Sequence, residues 1–101
     1  MTLKADLAPD VIPEMLRLVA SDNARTRDVS HEIDARHCLC PLPLLKAKQG
    51  LRNLVRGDLL RVLATDAGSL KDFVSFAQLT QQSIEAFQID QGEYCYIFRK
   101  Q

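Results

Sequence analysis

The chain predicts an α/β fold: an open two-layer sandwich of order βαβαββ, with a four-stranded mixed sheet and two helices on one face. Three observations carry this. Apolar residues recur at helical spacing in two segments, Pro41 to about Leu54 and Ser69 to about Gln82. Strand-like runs precede, separate and follow them. The last two runs are joined by Gln91-Gly92, a tight hairpin signal.

Each element has its own signature. Val29, His31 and Ile33 alternate with Ser30, Glu32 and Asp34, which reads as a half-buried strand. In the first helix Leu44, Ala47, Leu51 and Leu54 or Val55 fall close to a 3.6-residue period. Arg56-Gly57-Asp58 marks a turn. LLRVLAT, Leu59 to Thr65, is aliphatic enough for a well-buried strand. Asp66 to Ser69 reads as a loop with Ser69 as a candidate cap for the second helix, which presents Leu70, Phe73, Val74, Phe76, Ala77 and Leu79. The closing strands run from Ser83 to Asp90 and from Glu93 to Lys100, with Tyr94, Tyr96 and Phe98 on one side.

Residues 1–28 read as an N-terminal extension, ahead of a domain over 29–101. Pro9 and Pro13 punctuate it. Met15, Leu16, Val19 and Ala20 predict a short amphipathic helix after Pro13, suited to covering an edge or face of the domain or to docking a partner. SDNARTRD then reads as a turn.

A chain of 101 residues suits one core. Lys and Arg equal Asp and Glu at 13 each, so bulk charge gives no case for direct nucleic-acid binding. No segment approaches the ~18 consecutive apolar residues of a membrane span. Asp6 and Asp10 interrupt any signal-peptide pattern, so a cytoplasmic, membrane-free protein is expected. Three cysteines at these spacings do not form a secreted disulfide framework.

The cysteines point instead to chemistry in HCLCPLPLLKAK, residues 37–48. Cys40 falls at the first strand-to-helix junction, with Pro41 expected in the first helical position and Pro43 in the same turn. Cys40 then becomes the N-cap. The positive helix end, with Arg36, Lys46 and Lys48 nearby, would favour thiolate over thiol. Cysteines in such places commonly have pKa values of about 3.5 to 7.5. The expectation is an exposed, acidic, nucleophilic thiol.

These residues carry a resemblance. Asp34-x-Arg36, Cys40-Pro41-Leu42-Pro43, Gly57-Asp58 and Ala64-Thr65-Asp66-Ala67-Gly68-Ser69 with Asp72 resemble the TusA/SirA/YedF family of small sulfur-carrier proteins, over roughly Val29 to Lys100. The resemblance implies the same two-layer fold. It implies that Cys40 takes up sulfur as a persulfide from a cysteine desulfurase or a rhodanese-like donor and relays it to an acceptor protein. Destinations in the family include tRNA thiolation, sulfur oxidation, molybdenum-cofactor assembly and, in one branch, selenium metabolism. It also implies that Arg36 and Lys46 steer partners or stabilise an anion, and that Asp34, Thr65 and Asp66 shape the adjoining loops. The family usually places Gly-Leu-x before the motif cysteine; this chain has His37, Cys38 and Leu39.

Other candidates have plainer readings beside the functional one. Cys38 either fills a core pocket or serves as a resolving thiol against Cys40. His37 is a solvated loop residue or a proton donor beside the sulfur. A zinc site would need four ligands, usually in separated pairs, so neither metal nor any other cofactor is expected. Cys95 reads as packing, and Tyr94, Tyr96 and Phe98 as packing rather than a base-stacking platform. Lys71 and Asp72 read as a solvated helix face. Two alternatives to the carrier stand: a thiol redox or selenium-handling protein using Cys38 and Cys40, and a non-catalytic regulatory domain on the same fold.

Overall fold

A computed structural model describes residues 12–101. Its elements are α1 (Glu14–Leu18), β1 (His31–Ala35), α2 (Leu42–Arg52), β2 (Leu59–Ala64), α3 (Gly68–Thr80), β3 (Ser83–Asp90) and β4 (Glu93–Arg99). The strand order is β1-β2-β4-β3. β1 and β2 are parallel, with α2 as their crossover, while β4 runs antiparallel to both of its neighbours. The mixed sheet with α2 and α3 on one face is the fold expected from the sequence.

The β3–β4 hairpin turns on Gln91 at φ 52° and Gly92 at φ 81°. Two consecutive positive values are what a type I′ turn demands, and its twist matches that of the paired strands.

The main core lies between the sheet and the two helices. Ala47 and Leu51 of α2 and Leu70, Phe73 and Ala77 of α3 meet Leu60, Val62, Tyr96 and Phe98 from the central strands. The aromatic rings pack edge-on or tilted: Phe73 lies 4.3 Å from Tyr96 and 5.6 Å from Phe98 by centroids. Tyr94, Tyr96 and Phe98 thus belong to this core. The hydroxyl of Tyr96 stays satisfied by the Ser69 hydroxyl at 2.7 Å. Ser69 is therefore not the helix cap expected from the sequence. The cap position falls two residues earlier, at Ala67, so α3 starts at Gly68, and Ser69 is buried where the hydroxyl serves the tyrosine.

The second face of the sheet is covered by the segment before β1. Ala24 and Val29 pack on Leu59, Leu63, Ala86, Cys95 and Ile97. Arg61, buried on this face, donates through Nε to the Ala24 carbonyl at 2.9 Å and through Nη2 to the Arg27 carbonyl. Its Nη1 meets Glu32 at 2.8 Å. The guanidinium fork thus satisfies two carbonyls and a carboxylate at once. The outer edge of β3 is closed too: Phe87 N–H donates to Val19 O at 3.0 Å and Ser21 N–H to Phe87 O at 2.8 Å. Within the expected extension, the helix is one short turn with Leu16 in the main core; residues 1–11 of that expectation lie outside the described residues.

Two strand readings are corrected. His31 is exposed, and the inward residues of β1 are Ile33 and Ala35, while Val29 precedes the strand and packs on the opposite face. In β3 the alternation breaks at a bulge: Ile84 opposes Phe98 but Ala86 opposes Ile97. Ile84 and Phe87 therefore face the helices, and Ala86 faces the other way. Among the described residues, no helix is long and apolar enough to cross a membrane.

Candidate functional site

The loop from Arg36 to Pro41 joins β1 to α2 and carries Cys40 at the surface. Three backbone bonds shape it. His37 N–H donates to Thr65 Oγ1 at 2.8 Å, Cys38 N–H to the Ala35 carbonyl at 3.3 Å, and Cys40 N–H to Asp66 Oδ2 at 2.8 Å. Thr65 and Asp66 follow β2, the strand paired with β1, so the parallel register sets the two loops side by side. His37 stands at φ 67°, in the left-handed region that glycine enters freely and histidine only occasionally. That is the position where the family resemblance puts glycine.

The sulfur itself faces α3. Cys40 Sγ donates to Asp72 Oδ2 at 2.6 Å. A Cβ built on Gly68, the first residue of α3, would lie 3.4 Å from Cys40 Cβ and 3.7 Å from Sγ. Those are ordinary contacts; the tight one would be 3.1 Å to Asp66 Oδ2, so the bare Gly68 makes room for the carboxylate that holds the Cys40 N–H.

The expected acidic thiol is not what this geometry produces. The Cys40 thiol is pushed up from its ordinary range, first by its hydrogen bond to the Asp72 carboxylate, then by desolvation and by the charges of Asp72 and Asp66. The helix cap also differs from the expected one. Pro41 occupies the N-cap position of α2, after a cis Cys40–Pro41 bond, and Cys40 lies one residue outside the helix. Pro43 supplies no N–H in the first turn, and Leu42 N–H is taken by the Leu39 carbonyl. The first turn therefore has fewer free donors with which to stabilise a thiolate.

The sequence model of the TusA sulfurtransferase family matches residues 31–100. The chain belongs to the TusA family. It is 38% identical over 73 residues to the sulfur carrier protein TusA of Allochromatium vinosum, which covers 72% of this chain and 96% of that protein. It is 35% identical over 72 residues to the TusA of Pseudomonas syringae, covering 71% of this chain and 86% of the relative. A SirA-like protein from Desulfitobacterium hafniense superposes with a TM-score of 0.61 at 25% identity, over 68% of this chain and 95% of its own.

In this TusA-family chain the residues singled out from the sequence divide into two groups. Cys40, Pro41, Pro43, Thr65 and Asp66 converge on the cysteine loop. Arg36 turns elsewhere. Its guanidinium binds Asp34 at 2.8 and 2.9 Å and reaches Glu93 at 3.5 Å, and Glu93 also holds Arg25 at 2.8 Å. This cluster draws the Asp34 and Glu93 carboxyls below the usual carboxylate range and raises the guanidinium. Arg36 thus braces the start of the loop against the β4 hairpin, while the charges of Asp72 and Asp66 oppose a negative sulfur. Lys46 is half-buried on α2. Cys38 is half-buried and free; His37 is exposed.

The residue that sequence reasoning undervalued is Asp72. The helix pattern makes it part of a solvated face, yet among the described residues its carboxylate is the side-chain oxygen bonded to Sγ. One signal was available. Asp72 lies four residues after Gly68, so both share the face of α3 that starts beside the Cys40 loop. Cys95 is buried beneath the second face, and its thiol is pushed up to about 11 chiefly by burial. Among the described residues, no cluster of His, Cys, Asp and Glu is arranged to hold a metal ion.

Proposed function

We propose that this protein carries sulfur as a persulfide on Cys40, taking it from a donor protein of the cysteine desulfurase or rhodanese class and passing it to an acceptor protein. Membership of the TusA family and the names of its relatives support a sulfur carrier. The observation that carries the finer reading is the setting of Cys40. It is an exposed thiol at the tip of a loop, surrounded in sequence by Leu39, Leu42 and Leu45, which are 73%, 48% and 45% exposed. An exposed thiol with exposed leucines next to it in sequence fits transfer between docked proteins better than turnover of a small solute.

The step conserves sulfur and electrons. The Cys40 thiolate attacks the outer sulfur of a donor R–S–SH, an Sγ–S bond forms, and the donor S–S bond breaks. The donor leaves as a thiolate and regains a proton, so that Cys40–SH and R–S–SH become Cys40–S–SH and R–SH. An acceptor thiolate repeats the exchange in the other direction.

The test is intact mass measurement after incubation with a cysteine desulfurase plus cysteine, or with a rhodanese plus thiosulfate. The expected result is one added sulfur atom that peptide mapping places on Cys40 and that is absent from Cys40→Ser. Absence of the adduct with every donor overturns the proposal, as does a Cys38–Cys40 disulfide formed in its place.

A further inference from the structure

The contact between Cys40 and Asp72 assigns the carboxylate a function that the family resemblance does not. A base poised to activate a nucleophile and a charge that holds it back use the same hydrogen bond, and the surroundings decide between them. Here they are one-sided. Asp72 comes from α3 at 2.6 Å from Sγ, and Asp66, from the loop before α3, holds the Cys40 backbone N–H at 2.8 Å. On the cysteine's own loop, Arg36 is committed to Asp34 and Glu93. The first turn of α2 lacks a donor at Pro43 and spends that of Leu42 on Leu39. A thiolate at Sγ therefore faces two carboxylates.

We propose that Asp72 is a restraining residue of the sulfur site: it keeps unloaded Cys40 as a thiol and, once sulfur is loaded, keeps Sγ a poor leaving group. The inference rests on the carrier reading only in its second half. In the first state the thiol hydrogen bond survives only while the proton stays on sulfur. In the second, an attacking small thiolate G–S⁻ takes the outer sulfur to give G–S–SH, the Sγ–S bond breaks, and Cys40 departs as a thiolate beside the Asp72 carboxylate. Developing charge there is opposed, so bulk thiols strip the cargo slowly. Leaving thiols of higher pKa depart more slowly, the general rule for such exchange.

The test compares wild type with Asp72→Asn and Asp72→Glu, the latter retaining the charge. Iodoacetamide rates are followed against pH. Each unit by which a thiol pKa falls gives about tenfold more thiolate below the midpoint but about threefold lower intrinsic nucleophilicity. Asp72→Asn should thus move the rate midpoint to lower pH, react about threefold faster per unit at neutral pH, and reach a lower plateau when fully ionised. Asp72→Glu should stay near wild type. An unchanged or higher midpoint in the Asn variant overturns the restraint and favours a base. In the second arm, protein loaded with persulfide is mixed with glutathione, and Asp72→Asn should lose sulfur faster; equal or slower loss overturns the cargo-holding half. If no variant or wild type loads at all, the carrier reading fails while the alkylation arm still decides the first half.

Discussion

The backbone N–H of Cys40 donates to the Asp66 carboxylate at 2.8 Å, tying the cysteine loop to the residue that starts the approach to α3. Of the bonds that anchor the loop, this one is made by the cysteine's own backbone and so bears most directly on where the sulfur sits. Replacing Asp66 by Ala removes the acceptor, and by Asn keeps one without the charge. Amide hydrogen exchange at Cys40 should speed by about twofold to tenfold in Asp66→Ala, the range one hydrogen bond supports. It should stay close to wild type in Asp66→Asn. Equal acceleration in both would mean that the charge, not the bond, holds the loop.

Gly68→Ala separates stability from chemistry. Alanine is the better helix former by roughly 0.5–1 kcal/mol. Its Cβ would sit 3.1 Å from Asp66 Oδ2 and 3.4 Å from Cys40 Cβ, so the loop must give way by a few tenths of an ångström. The thermal midpoint should therefore hardly change, while the pH midpoint of Cys40 alkylation falls as the sulfur is displaced from Asp72. A large drop in melting temperature with unaltered alkylation would contradict this account.

Stability should depend on pH at both ends. Cys95 and Tyr96 have folded pKa values raised by burial, Cys95 to about 11. Their contribution is complete below the unfolded values, ~8.5 for a thiol and ~10 for a phenol, and is lost as pH climbs through the folded ones. Asp34, Glu85 and Glu93 are depressed by their arginine partners. Their contribution is present above the unfolded carboxylate range near 4 and is lost as pH falls below it. The urea midpoint should be flat around neutrality, fall between roughly pH 8.5 and 11, and fall again in acid. Cys95→Ala should flatten the first part of the alkaline fall relative to neutral pH, even though it lowers stability overall. An alkaline limb unchanged by that substitution would assign the fall elsewhere.

The sequence by itself determined the layers, the order of elements and the cysteine to which the carrier proposal points. Those follow from short-range patterns: aliphatic β2, the 3.6-residue period of α2, the Gln91-Gly92 turn and a cysteine fenced by prolines. Such patterns are written in neighbouring residues, and a local rule reads them. What only the tertiary structure decided is the state of the sulfur and the uses of Ser69, Arg36 and Asp72. The sign of the Cys40 shift depends on a carboxylate 32 residues away, Arg36 on Glu93 57 residues away, and Ser69 on Tyr96 27 residues away. The local rule for a helix N-terminus pointed to a thiolate because it counts the nearest turn. The fold brings a second helix against the same atom, and at 2.6 Å a carboxylate outweighs a helix end that lacks a donor at Pro43 and spends that of Leu42 on Leu39.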